Sequence, residues 1–271
     1  MTDDPMFPHC EGAATAGWLV LDCESIPDGK LLNIVKYPAE TLTPEQAVAR
    51  AQAEALDRTG SDFLPVTFQL PIAITMLRVG TDFSLQGIAC LDAPHYRPRE
   101  IIGQFWAGLE HHRKLDVKIV TFNGRGFDLP LLEMAAFRYG IAAPAILAER
   151  CNDWHLDLMD WLTNHGEIRL SGGLNLLAKL LGKPGKMEVT GNKVYRMWLD
   201  AKIDAINDYC LCDTLDTYFV FLRTRVLAGV LALADEQALI RRVKDWLRGQ
   251  TAAYPTLAEY VTHWGDWQPW P

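Results

Sequence analysis

The hydrophobic pattern along the chain divides it into a strand-rich first half and a helix-rich second half. Trp18 to Leu21 are continuously apolar and β-prone, which predicts a buried central strand over about Trp18–Ser25. Pro27-Asp28-Gly29 then turns the chain. Residues 31–65 read as an insertion. Within it, Thr43-Pro44-Glu45-Gln46 is a helix start, with Thr as cap, Pro first and Gln at the capping-box position, and Gly60 ends the pattern. Strands are expected at Phe68–Val79 and Phe83–Leu91, joined as a hairpin by Gly80-Thr81-Asp82. Pro71 inside the first implies an edge position or a bulge.

Pro98 to His112 has helical spacing, and His111 and His112 read as exposed residues at its end. Val117 to Phe122 is a further strand. It leads through Asn123-Gly124-Arg125-Gly126-Phe127-Asp128 into a helix over Leu129–Tyr139. His155–Leu162 is a second amphipathic stretch, Leu174–Leu181 is a short helix closed by Gly182, and Lys183-Pro184-Gly185-Lys186 is a turn with two cations. Residues 187–198 show no clear period, with a turn at Gly191-Asn192. Asp200–Leu227 and Ala234–Arg248 are helical, the latter with a basic face of Arg241, Arg242, Lys244 and Arg248. Tyr254–Pro271 reads as an irregular Trp- and Pro-rich tail. Strands first and helices later predict one α/β domain with a mixed sheet and a helical C-terminal half. Residues 1–16 are expected to be a loose leader, and residues 229–271 to pack back on the same domain.

Composition narrows the function classes. The 271 residues are 49% hydrophobic and 22% charged, ordinary for a globular chain. No apolar run reaches the roughly 18 residues of a membrane span. The acidic start lacks the apolar core of a secretory signal. Cys10, Cys23, Cys90, Cys151, Cys210 and Cys212 show no paired spacing, so reduced thiols and a cytoplasmic location are expected. A net charge of −8 argues against a broad duplex-binding surface. A small cleft for a few nucleotides remains compatible, because divalent cations bring local positive charge.

The candidate chemistry lies in four acids. Asp22 and Glu24 are two apart on a strand and project to one side. Asp128 follows a strand at a helix start, at the sheet edge where ligands bind in open α/β folds. Tyr209 and Asp213 are four apart on a helix and share a face. Carboxylates crowded in this way suit a hard cation such as Mg²⁺ or Mn²⁺. Asp204 and Asp216 read as solvated helix acids.

The order Asp-x-Glu, Asn-Gly-x-x-Phe-Asp and Tyr-x-x-x-Asp resembles the 3′–5′ exonucleases of the DnaQ-like, ribonuclease H-like superfamily, in the subgroup with tyrosine in the third motif. Thr121 to Pro130 is similar to the second motif of the exonuclease domain of family B DNA polymerases. The Leu-Leu-Gly-Lys-Pro-Gly-Lys run at 180–186 resembles that of stand-alone predicted exonucleases related to that domain. The resemblance spans about residues 17–228.

It implies a ribonuclease H-like fold and a two-metal hydrolysis of phosphodiester bonds from single-stranded DNA 3′ ends, with Mg²⁺ or Mn²⁺ as cofactor. Asp22 would bridge both ions, and Glu24 and Asp213 would complete the site that activates water. Asp128 would hold the second ion, directly or through waters, and Tyr209 would orient the attacking water. Cys23 stands where the family often has a larger apolar residue, and is expected to point away from the metals. Asn123 would hydrogen-bond the terminal nucleotide or hold its loop. Phe127 would be a core anchor or a wedge against a base. Lys183 and Lys186 would touch the substrate backbone or simply lie in a solvated turn. Alternatives are an exoribonuclease or oligonucleotide hydrolase, and an inactive nucleic-acid-binding relative.

Overall fold

Leu19, Leu21 and Cys23 face one way from the first strand, and Val20, Asp22 and Glu24 the other. Both apolar sets are covered, so the strand is the middle of a three-layer fold. The computed structural model describes residues 4, 6–7, 15–144, 154–186 and 191–269. In it β1 (Ala16–Pro27) is central in a five-stranded sheet with β2 (Gln69–Gly80), β3 (Leu85–Cys90), β4 (Lys118–Thr121) and β5 (His155–Asp157), in the order β3-β2-β1-β4-β5. The β1–β2 and β2–β3 pairs are antiparallel, whereas β1–β4 and β4–β5 are parallel. The sheet is therefore mixed, with helices on both sides, as an α/β ribonuclease H-like exonuclease fold requires.

On one face α3 (Pro98–Arg113) and α4 (Asp128–Tyr139) press Ile101, Ile102, Phe105, Leu131 and Leu132 onto Leu19, Leu21, Ile74 and Met76. On the other lies α8 (Ile203–Leu227), where almost every residue from Tyr209 to Leu222 is buried. A helix apolar on all sides needs cover on all sides. The sheet supplies one flank, and α9 (Leu233–Gly249), α10 (Thr256–Thr262) and α6 (Gly173–Leu180) supply much of the rest.

The inserted segment folds as a helical pair, α1 (Gly29–Lys36) and α2 (Pro44–Thr59). The capping box at Thr43 is formed, and Gly60 adopts the left-handed φ of 74°. Leu32, Tyr37, Ala47, Val48, Ala51, Ala55 and Leu64 make its own small core. Asp28 caps α1 and accepts from Arg138 of α4 at 2.8 Å, tying the insertion to the main body. Pro71 sits at a register shift opposite Ser25 and beyond the end of the β2–β3 ladder, so a bulge on one side and a locally open edge on the other accommodate its missing N–H.

Several local expectations are corrected by long-range packing. His112 is buried, with its Nδ1 near Gly108 O and its Nε2 3.0 Å from Asp4. Met6 and Phe7 are buried in the same cluster, so these residues of the leader are not loose. The amphipathic stretch at 155–162 divides: residues 155–157 form β5 by pairing with Ile119–Thr121, and α5 (Leu158–Leu162) follows. Gly191-Asn192 opens α7 (Gly191–Leu199) instead of a turn. Val194, Met197 and Trp198 of that helix pack with Ile26, Ile72 and Ile206. The tail contains α10, and Trp264 beyond it is buried. Cys23, Cys90, Cys210 and Cys212 are free thiols, while Cys10 and Cys151 lie outside the described residues. No helix among the described residues is long and apolar enough to cross a membrane.

Candidate active site

Period-two alternation places Asp22 and Glu24 on the α8 side of β1, one residue beyond the apolar run that buries the strand. Helix α8 crosses this point. The Cys210 thiol donates to the Asp22 carbonyl oxygen at 3.3 Å, which fixes the helix against the strand. Three residues later Asp213 enters the same space. One carboxylate oxygen from each of Asp22, Glu24 and Asp213 lies within 4.8 Å of the others.

Asp128 is close enough to Asp22 to be its strongest acidic neighbour. It reaches this position at the first turn of α4, 2% exposed, with Oδ1 lacking any hydrogen-bond partner. The loop before it is built tightly. Asn123 has a left-handed φ of 67°, and its carbonyl accepts from Gly126 N and Phe127 N at 3.0 Å each. Gly124 lies against the Thr121 side chain, where any Cβ would collide. Thr121 Oγ1 accepts from Gly124 N and pairs with His155 Nε2 at 2.9 Å. Burial drives His155 down to about 4, so a neutral ring pairs with the Thr121 hydroxyl.

Asp157 is the residue this site needs that the motifs did not reveal. Buried at the end of β5, it accepts from Asn123 N and Arg125 N at 2.9 Å each, and from Met159 N and Asp160 N at the start of α5. One carboxylate thus holds the Asp128 loop and caps a helix. The visible signal was an Asp directly before an apolar helical stretch, the usual N-cap pattern.

The crowding has an electrostatic consequence. Burial, then Asp128, Glu24 and Asp213, raise the Asp22 pKa well above the usual carboxylate range. Burial and then Asp213 raise Glu24 likewise. Burial lifts Asp213 to about 6, opposed by Lys186 and by hydrogen bonding from Tyr209. Burial lifts Asp128 to about 7, opposed by hydrogen bonding from its own backbone and from the Cys23 thiol. Cys23 lies on the α3–α4 face, away from Glu24, yet its thiol stands beside Asp128. An all-carboxylate donor set, with one buried oxygen unpartnered, fits a hard divalent cation.

These shifts set the pH response. An unfolded Asp titrates near 3.9, so between about pH 4 and pH 7 the folded protein binds more protons than the unfolded chain. Stability without metal is therefore lost as pH rises through that window. In EDTA, Tm is expected to fall between about pH 5 and pH 8. Excess Mg²⁺ should restore it at the higher pH and do little at the lower. A flat Tm profile in EDTA would contradict the crowding.

The two turn lysines separate. Lys186 is exposed, and its charge acts on Asp22, Glu24 and Asp213; its Nζ is 5.8 Å from the centre of the Tyr209 ring. Lys183 is 2% exposed, its Nζ donating to Leu181 O at 3.1 Å and lying 4.3 Å from the centre of the Trp264 ring. Burial lowers it to about 8. A substrate contact for Lys183 is thus corrected to a structural one: it ties its turn to the C-terminal segment. Asp216 is corrected in the same way. It is buried and accepts from Tyr260 Oη at 2.7 Å, whereas a solvated acid was expected. On the α9 basic face, Arg248 pairs with Asp245 and Lys244 lies near Asp266 and Trp264 O.

A family described as predicted 3′–5′ exonuclease related to the exonuclease domain of PolB matches residues 61–264. The match takes in Asp128, Tyr209 and Asp213 and runs on to Trp264, past the stretch the motifs suggested. Asp22 and Glu24 precede it, so their tie to Asp213 is seen in the geometry of β1 and α8. No curated protein matches the chain.

Proposed function

Because the chain belongs to the family of predicted 3′–5′ exonucleases related to the exonuclease domain of PolB, we propose that it removes nucleotides from the 3′ ends of single-stranded DNA with two divalent cations, Mg²⁺ or Mn²⁺. The observation that carries this reading is the meeting of the Asp22, Glu24 and Asp213 oxygens within 4.8 Å. Asp22 is assigned to both ions, Glu24 and Asp213 to one, and Asp128 to the other, directly or through water. When bound, the cations supply an activated water and stabilise charge on the attacking and leaving oxygens of the phosphate.

The chain's own groups orient this chemistry. Burial and then Asp213 raise the Tyr209 pKa far above its ordinary value, so the phenol keeps its proton. Its one proton points to Asp213 here, and once Asp213 holds a cation the phenol is assigned to orient water, not to act as a base. Lys186 brings an exposed positive charge to the acids, which suits contact with a substrate phosphate. Asn123 shapes the loop that presents Asp128.

The test is a degradation ladder. A 5′-labelled single-stranded DNA and the matching RNA are incubated with Mg²⁺, Mn²⁺ or EDTA, with Asp22→Ala in parallel. Stepwise shortening of the DNA from its 3′ end, requiring metal and Asp22, is expected. Faster shortening of RNA would move the assignment to an exoribonuclease. No shortening of either strand would favour a nucleic-acid-binding protein without this activity.

Tyr209→Phe is expected to lower kcat by roughly 10–100-fold, as loss of a supporting hydrogen bond does, with little change in KM. Single-turnover rates check this. A loss as large as that of Asp213→Asn would overturn the orienting role.

A further inference from the structure

The inserted segment ends in an aromatic side chain that its own core does not use. Phe63 is 53% exposed, while the next residue, Leu64, is buried. Its ring centre lies 5.7 Å from that of Phe127, with the planes at 56°. Phe127 is half-buried and directly precedes Asp128. The backbone that carries Phe63 is held from the acid-bearing strand as well. Ser25, next to Glu24, donates from Oγ to Gln69 Oε1 at 3.4 Å, and Gln69 Nε2 donates to Leu64 O at 3.1 Å. Contacts therefore run from Glu24 through Ser25, Gln69 and Leu64 to Phe63, and on through Phe127 to Asp128.

We infer that Phe63, which the insertion adds beside Phe127, supplies a stacking platform for bases near the 3′ end of single-stranded nucleic acid. This rests on the exonuclease reading of the adjacent acids. An isolated exposed apolar side chain would need no explanation. Here the ring is held beside a second aromatic, and that aromatic directly precedes Asp128, a neighbour of Asp22. The chain carries a net charge of −8, so a broad electrostatic hold on phosphates is absent. Stacking supplies affinity that does not depend on base identity.

The probe is a single-stranded oligodeoxynucleotide with 2-aminopurine at the second, third or fourth position from its 3′ end. Binding is read by fluorescence in Ca²⁺, and KM and kcat in Mg²⁺. Phe63→Leu keeps apolar packing and removes the ring; Phe63→Trp keeps a ring. Phe63→Leu is expected to weaken binding and raise KM roughly tenfold, with a much smaller effect on kcat, while Phe63→Trp binds like the wild type. An oligonucleotide abasic at the stacked position should bind wild type and Phe63→Leu alike. Equal binding of the intact probe by wild type and Phe63→Leu would overturn the platform and leave the exonuclease reading standing. So would a loss confined to Tm and kcat, which would mark Phe63 as a clamp for the insertion. Phe63-dependent quenching without cleavage would uphold the platform while the exonuclease reading falls.

Discussion

Asp22→Asn is expected to lower kcat/KM by at least about a thousandfold, a loss of ~4 kcal/mol in transition-state stabilisation, and to raise the Tm of the metal-free protein. The two effects have one origin. Asp22 is the acid most closely surrounded by the others, with Asp128, Glu24 and Asp213 all raising its pKa after burial, and only Lys186 opposing them. An amide of the same shape removes one charge from that cluster. Without metal this relieves repulsion, and the gain in Tm should be larger at about pH 8 than at pH 5, where the carboxyl is closer to neutral. With metal it removes the ligand assigned to both ions. The degradation ladder and thermal denaturation in EDTA check the pair. Turnover within tenfold of wild type would take Asp22 out of the site, and a lower metal-free Tm would show that Asp22 is held by something other than crowding.

Asp157→Ala should be the most destabilising single change near the site. It strips acceptors from four backbone N–H groups: those of Asn123, Arg125, Met159 and Asp160. Hydrogen bonds to a buried charge are worth ~1.5–3 kcal/mol each, and they are not additive. Together with the lost helix cap, a cost of ~3–4 kcal/mol is expected, or a Tm lower by roughly 10 °C in a chain of this size. Cleavage should fall as well, because the loosened segment carries Asp128. Asp157→Asn keeps one acceptor oxygen and should recover about half of the lost stability. A change of less than about 2 °C in Asp157→Ala would mean that the Thr121 hydroxyl and Asn123 carbonyl hold the loop alone.

Much of the site was legible because it depends on short spacings. Asp22 and Glu24 share a side through the two-residue period of a strand, and Tyr209 and Asp213 through one turn of a helix. The strand–loop–helix course to Asp128 follows from an apolar run, an Asn-Gly turn and a renewed helical period. These are local properties, decided by backbone geometry within a few residues.

Where position in the fold mattered, neighbouring residues of one type diverged. Lys183 and Lys186 stand three apart in one turn, yet one lies between the rings of Phe219 and Trp264 and the other at the acids. Asp213 and Asp216 stand three apart on one helix, yet one meets Asp22 and Glu24 while the other accepts from Tyr260. His112 is buried because Asp4, 108 residues earlier, returns to it.

By itself, then, the sequence determined which acids could act together in pairs, and that they belong to an α/β exonuclease fold. Only the tertiary structure decided that the pairs meet, that Asp157 holds the loop between them, and that Phe63 of the insertion stands beside Phe127. The reason is physical. The side on which a residue projects is set by its own stretch of backbone, whereas its neighbours and burial are set by which distant elements pack against that side.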